Sequence, residues 1–217
     1  MGQGLDTMIS AAGLFLVLDG TEGCGKSTQA KLLGQRMTSL GRTALLVRDP
    51  GTTRIGEQIR SILLDPSHAE MSMRAEMLLY MAARAQMMAE LILPALARNE
   101  VVICDRFVSS TLAYQLGGDG LTGSEIRDIA NVAIRGRWPD LTLLLDMPAE
   151  KSLSRVTRAR DRIEQRPLAY HGQVRRNYLA QAQDDPARYR VIDAGRLPEQ
   201  VSEDVWRAAE PLLKGKT

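Results

Sequence analysis

Short apolar runs alternate with longer stretches of helical spacing along the chain. Residues 14–18 are continuously apolar, which is typical of a strand buried on both faces of a parallel sheet. Four more short apolar runs predict strands, at 44–47, 101–104, 141–145 and 189–192. Helical patterns separate them, over 28–39, over 73–97 with Ser72 as N-cap, after Thr122, from Ala149 and over 198–213. This alternation predicts an α/β fold, with a five-stranded parallel sheet flanked by helices on both faces.

Length and composition limit the class of protein. The 217 residues suffice for one domain with a sizeable core, and we expect a single domain over 13–217 behind a flexible extension at 1–12. The formal net charge of +2 gives no global attraction to nucleic acid or to a membrane, and no apolar run approaches the roughly 20 residues that span a bilayer. The two cysteines, Cys24 and Cys104, lack metal-ligand spacing and favour reduced thiols in a cytoplasmic protein.

A glycine-rich loop follows the first predicted strand. Residues 20–27 match the P-loop pattern G-x-x-x-x-G-K-[ST], in which backbone N–H groups surround phosphate oxygens at the start of a helix. We expect Lys26 to contact the β- and γ-phosphates of ATP and the Ser27 hydroxyl to bind Mg²⁺. An ordinary glycine-rich turn can match the pattern, but the strand before it and the helix after it favour a P-loop NTPase fold. The predicted nucleotide-binding residues are Gly20, Thr21, Glu22, Gly23, Cys24, Gly25, Lys26, Ser27 and Thr28.

A charged pair ends the third predicted strand. Asp105 and Arg106 lie at the carboxyl edge of the sheet, where open α/β sheets bind ligands. The arginine fork can hold two oxygens of a second phosphate, and Asp105 could orient a Mg²⁺-bound water or Arg106 itself. A salt bridge at the surface would use the same two residue types. The pair alone therefore indicates a phosphate site without establishing it.

Four stretches of the chain resemble the motifs of bacterial thymidylate kinases. Residues 105–115, D-R-F-V-S-S-T-L-A-Y-Q, resemble the family's D-R-[YFH]-x-x-S-[STN]-x-A-Y-Q. Residues 48–52 (R-D-P-G-T), 76–84 (E-M-L-L-Y-M-A-A-R) and 139–146 (P-D-L-T-L-L-L-D) resemble R-E-P-G-G, E-x-L-L-F-A-A-x-R and P-D-L-T-x-x-L-D. The likeness extends over about 14–213. It implies transfer of the γ-phosphoryl group of ATP to dTMP, giving dTDP and ADP for dTTP synthesis, in a homodimer.

The resemblance also implies roles for single residues. Tyr80 would stack on thymine, and Arg84 would donate to a thymine carbonyl, although a core aromatic residue and a surface charge are the alternative. Thr111 and Gln115 would hydrogen-bond the rest of the base edge, while Tyr114 would exclude a 2′-hydroxyl. The residues expected around the acceptor are Glu22, Arg48, Pro50, Arg60, Tyr80, Arg84, Asp105, Arg106, Ser110, Thr111, Tyr114 and Gln115, and the expected metal ligands are Ser27 and Asp105. For Arg60 a solvated helix charge is the alternative.

An arginine-rich run follows the fourth strand, with Arg155, Arg158, Arg160, Arg162 and Arg166. It fits a solvated helix face, and nucleic-acid binding is disfavoured because no aromatic platform is interleaved. It also fits a mobile, arginine-rich lid over about 153–170 that delivers a cation when the site closes. Thymidylate kinases without an arginine in the P-loop resemble this chain in carrying the catalytic arginine there, and residues 161–164 resemble their D-R-[IF]-E element. The predicted catalytic residues are Lys26, Arg106, Arg158 and Arg162.

Two other functions stay open at this point. The protein could be another P-loop nucleotide or deoxynucleoside kinase, or a non-catalytic nucleotide-binding module. The base-edge residues argue against the first, and intact Lys26 and Arg106 argue against the second. Asp49, Thr52 and Tyr80 depart from the family pattern of glutamate, glycine and phenylalanine. The first two departures bear on the shape of the loop near the acceptor phosphate. The third bears on which ring stacks on the base.

Overall fold

A computed structural model describes residues 13–214, with side chains described to residue 213. The prediction of a flexible extension at 1–12 lies outside these residues. Five strands form one parallel sheet in the order β2-β3-β1-β4-β5. They are β1 (Leu14–Gly20), β2 (Ala44–Arg48), β3 (Val101–Asp105), β4 (Leu141–Asp146) and β5 (Tyr189–Asp193). The predicted five-stranded parallel sheet is confirmed, and each strand ends one or two residues later than its apolar run.

Helices connect the strands and cover the sheet. They are α1 (Lys26–Ser39), α2 (Arg54–Leu64), α3 (Met73–Met87), α4 (Leu93–Ala97), α5 (Val108–Tyr114), α6 (Gly123–Ile134), α7 (Ala149–Ser154), α8 (Leu168–Asp184) and α9 (Pro198–Lys214). The predicted N-cap of α3 is confirmed, because the Ser72 hydroxyl accepts from the backbone N–H of Ala75. Thr122 and Glu125 form a reciprocal capping box at the start of α6. None of the helices in the described range is long and apolar enough to cross a membrane.

The central strand β1 is buried on both faces, as its continuous apolar run predicts. Alternate side chains point to opposite faces of the sheet. Leu16 and Leu18 pack in a core with residues of α1 and α9. Phe15 and Val17 pack in a second core with residues of α3 and α6. Because helices cover both faces of the sheet, its carboxyl edge stays open, and the loops after the strands meet there.

The helix predicted over 73–97 is helical throughout but is not one continuous α-helix. A π-helical turn, Met88–Ile92, separates α3 from α4. Pro94 lies in the first turn of α4, where it donates no backbone hydrogen bond, and its ring would clash with the carbonyl four residues earlier in a regular helix. The wider π turn removes that clash. The helical pattern over 73–97 did not indicate this π turn.

The predicted lid begins within α7 and ends within α8. Between these helices, residues 155–167 form a series of turns rather than a continued helix. The helix α8 was not singled out by its pattern, because its sequence is largely polar. Its buried side chains, His171, Val174, Tyr178 and Ala182, nevertheless follow helical spacing. This helix packs across α5 and brings Tyr178 to the edge of β1.

Candidate active site

A cleft of about 560 Å³ opens at the carboxyl edge of the sheet. Its walls come from the glycine-rich loop, the ends of β2 and β3, helices α2, α3 and α5, and the predicted lid. Every residue predicted to surround the acceptor lines it: Glu22, Arg48, Pro50, Arg60, Tyr80, Arg84, Asp105, Arg106, Ser110, Thr111, Tyr114 and Gln115. Of the loop residues described, Glu22, Gly23, Lys26 and Ser27 line the cleft, while Gly20, Thr21, Cys24, Gly25 and Thr28 do not.

The glycine-rich loop has the backbone shape that its glycines predict. Gly23 has a φ of 73°, and a side chain there would meet the carbonyl oxygen of Ser152, which would lie 2.1 Å from its Cβ. Gly25 caps α1 in the left-handed conformation, with a φ of 96°. Lys26 opens α1 and is buried, and its ammonium group donates to the carbonyl of Thr21 at 2.6 Å. The lysine charge therefore lies inside the loop that would enclose phosphates.

Two oxygen groups meet beside this loop. The Ser27 hydroxyl donates a hydrogen bond to Asp105 Oδ2, so α1 and the end of β3 contact each other here. Mg²⁺ prefers oxygen ligands and usually takes only one or two from protein, with substrate phosphates and water completing the octahedron. The Ser27 and Asp105 oxygens fit that requirement, since both reach one point next to the glycine-rich loop.

Arg106 is fixed at the floor of the cleft. Its backbone has a φ of 73°, a left-handed conformation that costs a non-glycine residue about 1 kcal/mol or more. Its guanidinium donates to the Gly20 carbonyl at 3.0 Å, to the Ser110 hydroxyl at 3.1 Å and to Glu22 Oε1 at 3.1 Å. These contacts tie the strand end to the glycine-rich loop and to α5. They engage both terminal nitrogens of the guanidinium, which stays partly exposed.

Asp19, which the sequence analysis missed, binds side chains that in turn contact Arg106. It is fully buried at the end of β1 and accepts from the hydroxyls of Ser109, Ser110 and Tyr178 at 2.6, 2.8 and 2.6 Å. The Tyr178 hydroxyl also accepts from Arg106 at 3.2 Å. An acidic residue closing an apolar strand was the available signal. Its partner Tyr178 lies 159 residues away in sequence, so the pairing required the fold.

Glu22 connects the glycine-rich loop to the acceptor side of the cleft. Its Oε1 accepts from the Tyr114 hydroxyl at 2.5 Å and from Arg106 at 3.1 Å. The buried ring of His171, also missed, lies 3.6 Å from its Oε2. Burial raises the pKa of Glu22, but the polar ring of His171 close by and the charges of Arg106 and Lys26 outweigh it and leave that pKa well below its usual range. Glu22 is therefore a carboxylate at neutral pH.

Arg84 is buried rather than a surface charge, which excludes that alternative. Its Nε donates to Asp49 Oδ2 at 2.5 Å, Nη1 to the Thr111 hydroxyl at 3.2 Å and Nη2 to the Phe107 carbonyl at 3.2 Å. Burial raises the pKa of Asp49, and the charge of Arg84 opposes that rise. The shorter aspartate at position 49 thus still reaches Arg84. Tyr80, on the same helix as Arg84, is half-buried and lines the cleft. Burial raises the pKa of its hydroxyl, so the side chain is a neutral phenol at neutral pH.

The end of β2 and helix α2 supply two more cations. Arg60 is half-buried, and its guanidinium donates to the carbonyl of Pro50 at 3.1 Å. Arg48 pairs with Glu57 at 2.9 Å. Thr52 adopts a φ of 68° where the family pattern has glycine, and its backbone N–H donates to Glu57 at 2.7 Å. The contact with Glu57 thus holds Thr52 in the left-handed conformation that glycine adopts more readily.

The two predicted lid arginines occupy different places. Arg158 lines the cleft and pairs with Glu164 at 2.6 Å, leaving most of its side chain exposed. Arg162 is buried outside the cleft, where it pairs with Glu76 of α3 at 2.5 Å and donates to the Leu63 carbonyl at 2.8 Å. Arg155 also lines the cleft. The structure thus brings Arg158, but not Arg162, to the predicted catalytic residues.

Comparisons with known proteins identify the family of the chain. The sequence profile of the thymidylate kinase family matches residues 18–205. The chain is 47% identical over 204 residues to the thymidylate kinase of Pelotomaculum thermopropionicum, covering 93% of this chain and 94% of that one. It is 49% identical over 203 residues to that of Pseudomonas savastanoi pv. phaseolicola, covering 93% and 95%. The crystal structure of thymidylate kinase from Ehrlichia chaffeensis superposes with a TM-score of 0.74 at 27% identity, covering 91% of this chain and 98% of that one. The chain belongs to the thymidylate kinase family.

Proposed function

We propose that the protein transfers the γ-phosphoryl group of ATP to dTMP, giving dTDP and ADP. The observation that carries this proposal is that one cleft holds both the Lys26 loop and the Arg84 base-edge residues, with Arg106 between them. Direct transfer requires donor and acceptor in one cavity with the reacting oxygens in line. A module that only bound ATP would have no use for a second set of buried polar groups in the same cleft.

On the donor side, the glycine-rich loop holds the phosphates through its backbone N–H groups and through Lys26. Ser27 and Asp105 would hold Mg²⁺, which supplies charge neutralisation between the phosphates. On the acceptor side, Arg106 has two positively charged neighbours across the cleft, Arg48 and Arg60, and the three suit the monophosphate. The acceptor oxygen is already ionised, so positioning and charge stabilisation suffice without a strong general base.

The base and sugar are recognised farther along the cleft. Tyr80 offers a ring face, and the guanidinium of Arg84 is a buried donor for a thymine carbonyl. The Tyr114 hydroxyl is held by Glu22, so its ring is fixed where a ribose 2′-hydroxyl would need room. Buried polar groups of this kind select strongly, because a wrong base leaves them unpaired.

The remaining parts of the proposal concern closure, assembly and location. Residues 153–170 act as a mobile lid that closes on ATP and brings Arg158 to the transferred phosphoryl group. The single domain works as a homodimer in the cytoplasm, as the family resemblance implies. The free thiols of Cys24 and Cys104 are compatible with that compartment.

A coupled ADP-release assay tests the function, with dTMP, dUMP, dCMP, AMP and GMP as acceptors. We expect the highest kcat/KM with dTMP, a lower value with dUMP, and little turnover with the purine monophosphates. Turnover of AMP without turnover of dTMP would show a different nucleotide kinase. ATP binding without transfer to any of the five monophosphates would show a non-catalytic module.

A further inference from the structure

Glu76 is a fully buried carboxylate in the first turn of α3, outside the cleft lining. Its Oε1 accepts from Gln115 Nε2 at 2.7 Å. Its Oε2 accepts from Arg162 at 2.5 Å and from Arg166 at 2.9 Å. The single carboxylate therefore joins a cleft residue on one side to two arginines of the predicted lid on the other. The proposed phosphoryl transfer assigns no role to Glu76.

Gln115 lines the cleft, and one end of its side-chain amide is already bonded within the protein. The side chain is 1% exposed and lines the cleft, and its Oε1 is buried without a hydrogen-bond partner among the described residues. A side-chain amide has one donor end and one acceptor end. Because the NH₂ end is taken by Glu76, the unpartnered carbonyl oxygen is the end left for a ligand. It can accept a hydrogen bond from a ligand N–H and can give none.

The charge on Glu76 makes this orientation obligatory. An ionised carboxylate only accepts hydrogen bonds, so it can face the NH₂ end of Gln115 but not the carbonyl end. Arg162 and Arg166 both donate to Oε2, so all three side chains bonded to the Glu76 carboxyl group, Gln115 included, are hydrogen-bond donors. Breaking a buried ion pair of this kind is costly, so the carboxylate stays paired in the folded protein. The orientation of the Gln115 amide thus follows from hydrogen-bond chemistry.

We propose that Glu76 is a positioning residue that sets pyrimidine choice by fixing the Gln115 amide. Resting on the proposed dTMP-binding role of the cleft, the inference assigns the Gln115 carbonyl oxygen to the N3–H of a thymine or uracil ring. Cytosine carries a lone pair at N3 and would face that oxygen with repulsion. Glu76 never touches the nucleotide and selects it through Gln115.

Glu76→Gln provides the test, because its effect on Gln115 has a definite direction. Arg162 and Arg166 would hold the oxygen of the new amide, so its NH₂ group would turn toward Gln115. The Gln115 amide would then have to rotate and present its own NH₂ to the cleft. Binding of dTMP and dCMP is measured by calorimetry without ATP. We expect the association constant of dCMP, divided by that of dTMP, to rise roughly tenfold or more. An effect of this size follows when a buried polar group that lacked a hydrogen-bond partner gains one.

Three controls separate this role from a structural one. The ratio of dUMP to dTMP should not change, because both carry N3–H. Glu76→Asp keeps an acceptor-only group and should keep the wild-type dCMP ratio even where both affinities fall. In a Gln115→Ala background, Glu76→Gln should leave the dCMP ratio unchanged, because the residue through which it acts is missing. Equal loss of dTMP and dCMP binding in Glu76→Gln would overturn the proposal.

Two further measurements keep the proposal decidable. Should Glu76→Gln fail to fold, wild-type binding of N3-methyl dTMP, which lacks the N3 donor, replaces it. Affinity equal to that of dTMP would then overturn the assignment of Gln115. The proposed function fails separately: a wild type that binds dTMP but transfers no phosphoryl group would disprove the kinase proposal and leave the binding ratio measurable.

Discussion

Arg158 and Arg162 are four residues apart in sequence, yet they differ in burial and in their distance from the cleft. Arg158 is largely exposed, and its buried partner Glu164 lines the cleft beside it. Arg162 is buried against Glu76 and the Leu63 carbonyl. Arg158 already lines the cleft, so closure of the lid would suffice to bring it to a phosphoryl group there. Such a group can meet Arg162 only after a buried ion pair breaks, which typically costs several kcal/mol.

We therefore expect Arg158→Ala to lower kcat for dTMP by about 10²- to 10³-fold with little change in dTMP KM, because it removes a transition-state cation. Arg160→Ala is the matched control, since Arg160 is exposed in the same segment and lies outside the described cleft lining. Steady-state and single-turnover kinetics measure both. A large kcat loss in Arg162→Ala with none in Arg158→Ala would reverse the assignment.

At this scale, the sequence identified residues that contact ligands better than residues that hold them. Lys26, Arg84 and Arg106 belong to local motifs whose spacing carries their chemistry. Asp19 and Glu76 act through partners far away in the chain, such as Tyr178 and Arg162. Only the folded chain brings these partners together. The prediction for Arg162 has the same limit, since its motif cannot show which carboxylate it meets.

Among the elements, the glycine-rich loop and α7 form one packed unit. The Thr21 and Ser152 hydroxyls lie 2.9 Å apart, and the Ser152 hydroxyl also bonds to the Glu22 carbonyl. Gly23 faces the Ser152 carbonyl so closely that no Cβ fits. Because α7 leads directly into the predicted lid, this contact couples the shape of the phosphate loop to the base of the lid.

Gly23→Ala should abolish that packing, with ATP affinity falling at least about tenfold. The new Cβ would overlap the Ser152 carbonyl in addition to straining a backbone with a φ of 73°. Gly41→Ala is the control, since Gly41 has the same φ of 73° but nothing within 4 Å of the added Cβ. It should cost about 1 kcal/mol of stability and leave ATP binding intact. Nucleotide binding and denaturant unfolding measure the two effects, and equal ATP affinities in the two variants would contradict the coupling.

The elements themselves were unequally predictable. The five strands follow from apolar runs, because strands buried on both faces tolerate few polar residues. The helix α8 escaped notice because it buries only one narrow stripe, and that stripe includes the polar side chains of His171 and Tyr178. The Tyr178 hydroxyl bonds to Asp19 at the site, while its ring packs in a hydrophobic cluster with Val174 and Ala182. Functional contacts thus weakened the hydrophobic pattern by which a helix is predicted.

In the whole molecule, charged side chains are concentrated in the cleft, which the overall composition does not reveal. The formal net charge is only +2. Seven basic side chains nevertheless line the cleft against five carboxylates: Lys26, Arg48, Arg60, Arg84, Arg106, Arg155 and Arg158 against Glu22, Asp49, Asp105, Asp161 and Glu164. A concave site with a local excess of one sign concentrates the field and attracts ligands of the opposite sign.

This local excess predicts that dTMP binding weakens with ionic strength. The screening length falls from about 30 Å at 0.01 M salt to about 8 Å at 0.15 M, so attraction of the phosphate dianion by cations beyond direct contact is lost. We expect the Kd for dTMP to rise several-fold over this range. Thymidine carries the same base and sugar without the phosphate, so its Kd should stay nearly constant. Calorimetric titrations at the two salt concentrations measure both ligands. Parallel weakening of both would show that salt perturbs the fold or the base site, whereas weakening of dTMP alone assigns the effect to the cationic cleft.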